Sequence, residues 1–124
     1  MSKIINTTKA PAAIGPYAQG IQTQELIFIS GQLPVDPETG KMNDDVKKQT
    51  EQSLKNVKAI VEEVGSSMDK IVKTTIFIQD MNDFTVINEM YSSFFNGCYP
   101  ARSCVEVSRL PKDAKVEIEA IATK

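Results

Sequence analysis

The 124-residue sequence has no histidine, only two cysteines, and no Lys/Arg cluster. Without histidine there is no Ser-His-Asp or Cys-His nucleophile system and no zinc site built on imidazole. Proton transfer then falls to carboxylate, tyrosine, cysteine, lysine or water. Neither G-x-x-x-x-G-K-[ST] nor G-x-G-x-x-G occurs, so the usual nucleotide cradles are missing. Cys98 and Cys104 form no C-x-x-C and are expected to be free thiols, since a bridge would need a tight loop through Pro100. Net charge is −2, and the densest basic pair, Lys47-Lys48, is followed by Glu51, Glu62 and Glu63. A phosphate-neutralising stripe is lacking, so no nucleic-acid partner is expected. No window approaches the roughly 18 apolar residues of a membrane span, so no membrane partner is expected either. The polar start Met1-Ser2-Lys3-Ile4-Ile5-Asn6 does not read as a signal peptide, and a cytoplasmic location is the expectation.

What is present suits one domain over residues 1–124, with a 41% hydrophobic fraction. Residues 11–20 read as a loop in which Gly15-Pro16 turns the chain and directs Tyr17. Leu26-Ile27-Phe28-Ile29 reads as a strand with two apolar faces, ending at Ser30-Gly31. Apolar residues from Val46 to Val64 recur at helical spacing and predict a helix over 44–64. Asn43 or Asp44 would cap it, and Gly65 would close it. Residues 71–78 are β-branched and predict a strand. A second helix over 82–96 carries a stripe of Phe84, Ile87, Tyr91, Phe94 and Phe95, and two alternating strands follow at 103–107 and 115–122.

The order β-β-α-β-α-β-β predicts an α+β fold with two helices on one face of a mixed sheet. Val105, Val107, Val116, Ile118 and Ala120 are expected under the helices. Arg102, Cys104, Glu106, Glu117, Glu119 and Ile121 are expected on the other face. Two helices leave that second face bare, and its apolar content predicts burial against another subunit.

Taken singly, the candidate residues are modest signals. Tyr17 reads as a packed aromatic, Ser30-Gly31 as a turn and Cys104 as a small buried hydrophobe. Arg102 and Glu117, on strands expected to be neighbours, read first as a structural ion pair or as two solvated charges at a sheet end. The functional alternative gives the Arg102 fork a substrate carboxylate and Glu117 a water and a leaving group.

Together, the segments resemble the Rid (reactive intermediate deaminase) family. The resemblance is carried by Ala10-Pro-Ala-Ala-Ile-Gly-Pro-Tyr17, Phe28-Ile-Ser-Gly-Gln-Leu-Pro34, Asn56-Val-Lys-Ala-Ile60, Val72-Lys-Thr-Thr75, Pro100-Ala-Arg-Ser-Cys-Val-Glu-Val107, Arg109-Leu-Pro-Lys112 and Val116-Glu-Ile-Glu-Ala-Ile-Ala122. These cover essentially the whole chain in family order, and the RidA branch is the most similar. The resemblance implies a chorismate-mutase-like fold whose sheets pack into a trimeric barrel, with pockets between subunits. It implies a pocket holding Tyr17, Ser30, Gly31, Arg102, Cys104 and Glu117, with Arg102 and Glu117 catalytic and no cofactor or metal. It implies hydrolytic deamination of 2-imino or enamine acids such as 2-aminoacrylate and 2-aminocrotonate to 2-keto acids and ammonia. A keto-acid-binding regulatory protein could use the same pocket.

Overall fold

The computed structural model describes residues 2–124. Six strands form a mixed sheet in the order β1-β2-β3-β6-β4-β5. They are β1 (Lys3–Ile5), β2 (Gly20–Gln22), β3 (Leu26–Gln32), β4 (Ile71–Ile78), β5 (Ala101–Glu106) and β6 (Val116–Thr123). The helices are α1 (Val46–Glu63) and α2 (Phe84–Ser92). β6 runs antiparallel to both β3 and β4, while β5 runs parallel to β4 at the edge. The expected α+β architecture therefore stands, with an N-terminal hairpin of three-residue strands added to it.

Both helices cover one sheet face. Leu54, Val57, Ile60 and Val61 of α1 are buried at helical spacing against Ile27, Ile29, Ile76, Ile78, Val116, Ile118, Ala120 and Ala122. Truncating Leu54 to alanine there would cost about 2–5 kcal/mol through lost burial and a cavity. The cap of α1 is Asp45, one residue beyond the expected pair, and it accepts from the Lys48 N–H at 3.1 Å. Asn43 instead accepts from the Asp45 N–H, which sets up the approach to the helix. Gly65 (φ 82°) closes α1 as expected: its N–H donates to the Glu62 carbonyl and the Ser66 N–H to Val61.

The face assignment is correct for β6 and reversed for β5. In register, Thr74 lies between Arg102 and Ala120, and Ile76 between Cys104 and Ile118, so Arg102 and Cys104 share the helix-side face. Val105 aligns instead with Phe77 and Glu117 on the open face. β4 also separates β5 from β6, so the strands bearing Arg102 and Glu117 are not neighbours. The open face carries Phe28 at 41% and Val105 at 44% exposure, beside Phe77 and Ile121. This is the uncovered apolar surface expected where both α-helices cover the opposite face.

Candidate active site

Tyr17, Ser30, Gly31 and Glu117 converge on one cleft of about 820 Å³ between the 11–19 loop, β3, β6 and the 111–112 turn. Ser30 and Gly31 lie inside β3 rather than in a turn after it. The register with β6 breaks between Ile29 and Gln32, and the two residues sit in that irregularity. Ser30 is tied twice to the 18–19 segment: its N–H donates to Gln19 O at 3.0 Å and its hydroxyl to Ala18 O at 2.6 Å. With its proton so committed, Oγ offers the cleft an acceptor.

Gly31 makes room for the carboxylate. A Cβ at position 31 would lie 2.6 Å from Glu117 Oε2 and 2.9 Å from its carboxyl carbon. Glu117 is half-buried, and desolvation, reinforced by the nearby Glu119, pushes its carboxyl above the usual carboxylate range. A raised carboxyl is a better proton acceptor near neutral pH than an ordinary glutamate.

The loop carrying Tyr17 is tied down by a buried amide. Gln19 Oε1 accepts from the Thr7 N–H at 2.7 Å, while Nε2 donates to the carbonyls of Thr7, Ala10 and Pro11 at 3.0, 3.3 and 2.8 Å. A second buried amide, Asn56, donates to the carbonyls of Leu33 and Val35 at 3.0 Å each and fixes the opposite wall. Neither amide is legible as an anchor from the sequence. Their only local signal was a polar residue within an apolar pattern, most visibly Asn56 on the buried side of α1.

Arg102 and Cys104 are elsewhere in the chain. The Arg102 guanidinium lies over the rings of Tyr91 and Phe84, 5.0 and 5.6 Å from their centroids, and donates to Asn88 Oδ1 at 2.7 Å. Tyr91 is itself fixed by a 2.6 Å hydrogen bond between its hydroxyl and that of Thr74. Among the described residues no carboxylate pairs with Arg102, so the expected structural ion pair with Glu117 is not formed. Cys104 is half-buried beside it; burial pushes the thiol up, offset in part by Arg102. A thiol held protonated is a poor nucleophile.

Within one chain, therefore, the carboxylate and the guanidinium face opposite sides of the sheet. A substrate touching both would need two copies.

The chain matches the family model described as endoribonuclease L-PSP over residues 7–124. It is 58% identical to the 2-iminobutanoate/2-iminopropanoate deaminase of Salmonella typhimurium, covering 100% of this chain and 99% of that protein. Among solved structures, that of Escherichia coli TdcF with bound serine superposes with a TM-score of 0.96 at 55% identity, over 98% of each chain. The Escherichia coli YjgF gene product gives 0.96 at 56% identity, also over 98% of each chain.

Proposed function

The chain belongs to the endoribonuclease L-PSP (YjgF/Rid) family, and from that premise we propose that it is a cofactor-independent 2-iminobutanoate/2-iminopropanoate deaminase. It converts 2-imino acids and their enamine tautomers, 2-aminoacrylate and 2-aminocrotonate, into 2-keto acids and ammonia. The observation that carries this reading is the Glu117 carboxylate, raised by burial and seated against Gly31 in a cleft with Tyr17 and Ser30.

The chemistry asks for little. An imine carbon is already electrophilic. Glu117 takes a proton from a water as its oxygen bonds to C2, and the C=N π electrons move to nitrogen. Glu117 returns that proton to nitrogen, giving the carbinolamine, then takes the hydroxyl proton and passes it to the amine, so that the C–N bond breaks to release ammonia and leave the C=O of the keto acid. Ser30 Oγ accepts from the substrate N–H, and Tyr17 and Gly31 form the walls.

Arg102 binds the substrate carboxylate through its planar fork. Its position on the far side of the sheet from Glu117 supports a site shared between subunits. One copy supplies Tyr17, Ser30, Gly31 and Glu117, and a neighbour supplies Arg102 and Cys104. Packing the open faces of three sheets around an axis buries Phe28, Phe77, Val105 and Ile121 and brings edge strand β5 of one copy toward the cleft of the next. The aromatic shelf and Asn88 hold the guanidinium ready without neutralising it.

The lining carboxylates Asp36, Glu117 and Glu119 would repel a polyanionic backbone, which supports a small-molecule substrate over RNA. No helix among the described residues is long and apolar enough to cross a membrane, and the cytoplasmic metabolite pool is the proposed setting.

The test generates 2-aminoacrylate from serine with a dehydratase and follows ammonia and keto acid with and without the protein. Release faster than the spontaneous rate, lost in a folded and assembled Arg102→Ala variant, is the expected result. No acceleration by a protein that still binds 2-ketobutyrate would transfer the reading to ligand sensing.

A further inference from the structure

The turn that lines the cleft at Pro111 and Lys112 is strained. Lys112 and Asp113 both have positive φ, 58° and 56°, and neither is glycine. Left-handed backbone disfavours an L side chain at each position, so two in succession persist only where the surroundings dictate them. Here the surroundings are specific. Leu110 and Ala114, 6% and 0% exposed, anchor the two ends. The Asp113 N–H donates to Leu110 O at 3.1 Å and the Ala114 N–H to Pro111 O at 3.2 Å. Arg109 closes the turn from outside, with Nε and Nη2 on the Asp113 carboxylate at 2.8 and 3.3 Å. That pair is exposed and contributes little stability by itself.

The outcome of this geometry is the placement of Lys112 on the cleft wall. Among the described residues lining the cleft, Asp36, Glu117 and Glu119 are acidic and Lys112 is the one cation. A carboxylate-bearing substrate approaching this chain's wall meets three negative charges. Lys112 is exposed, and it is not among the charges that set the Glu117 carboxyl. Its influence is on the cleft wall, separate from the reacting group.

We propose that Lys112 is a specificity-determining residue of the cleft: the strained 110–114 turn sets Lys112 in the cleft wall, where its positive charge offsets the lining carboxylates and favours entry of small anionic acids over neutral analogues. The proposal rests on the deaminase reading for the identity of the substrate, and its test does not require turnover. The buried ends Leu110 and Ala114, with the two backbone bonds between them, hold the turn.

The experiment measures equilibrium affinity for 2-ketobutyrate and for its neutral amide, 2-oxobutanamide, at about 10 mM and about 1 M salt, where screening lengths are about 30 and 3 Å. The proteins are the wild type, Lys112→Asn and Lys112→Arg. Asparagine tolerates left-handed backbone, so the turn survives while the charge is lost. Lys112→Asn is expected to weaken 2-ketobutyrate binding about two- to fivefold at low salt, the size of one partly screened charge on the cleft wall. The deficit should vanish at high salt, amide binding should be unchanged, and Lys112→Arg should restore the acid. Unchanged acid affinity, equal weakening of acid and amide, or a wild type that binds no 2-ketobutyrate overturns the proposal. Charge-dependent binding in a protein that fails to hydrolyse imines would sink the deaminase reading and leave the role of Lys112 intact.

Discussion

The Glu117 carboxylate occupies the space that a side chain on Gly31 would take, with Oε2 only 2.6 Å from where that Cβ would stand. Position 31 is thus small because of a neighbouring functional group, and no turn requires it; its φ lies outside the left-handed region. Gly31→Ala must push the carboxylate aside. The displaced atoms are the end of a flexible side chain, so the fold should lose no more than about 1 kcal/mol. Turnover should fall by about a hundredfold, since roughly 1 Å of misplacement costs that much. Paired measurements of kcat and Tm check this; a large stability loss with activity kept would mean that Gly31 serves the sheet instead.

Glu117→Gln should lose activity and gain stability. The folded-state carboxyl is raised, chiefly by desolvation and next by Glu119, so the charged form is disfavoured on folding. The resulting penalty is absent below the ordinary glutamate range, grows as pH rises through the raised value, and is full above it. Glutamine removes that penalty. Denaturant titrations should show the variant more stable than wild type at pH 8 and the two converging near pH 3. In the wild type, turnover should decline as pH falls through the raised value and the base becomes protonated.

Cys104→Ser should retain most activity. The thiol is pushed up by burial, offset in part by Arg102, and the sequence has no histidine to serve as its base. Steady-state rates of the variant, with its assembly state checked by light scattering, would expose a covalent role if activity vanished in an intact oligomer.

Much of this fold was legible because its long elements have strong periods. The α1 stripe and the alternation in β6 each pointed to one face, and the apolar run of β3 marked a strand. The N-terminal hairpin was not legible, since Lys3–Ile5 and Gly20–Gln22 are three-residue strands too short to show a period. On β5 the alternation misled, because both faces carry apolar groups. Val105 resembles a core residue but faces the open side. Arg102 lies toward the helices, its guanidinium over Phe84 and Tyr91, which pattern alone would have placed wholly in the core. The members of the site came from the family resemblance. Their separation into two faces needed the register of β4 against both β5 and β6, which no local sequence signal records.

The most direct test of the proposed shared deaminase site is complementation between two inactive variants. Arg102→Ala keeps Glu117, and Glu117→Gln keeps Arg102. Unfolded together in equal amounts and reassembled, random trimers would pair an intact cleft with an intact arginine at about one interface in four. Ammonia release from dehydratase-generated 2-aminoacrylate should therefore return to about a quarter of the wild-type rate, from variants that are inactive alone. A mixture as inactive as its parts, in demonstrably mixed oligomers, would contradict the shared site and the mechanism built on it.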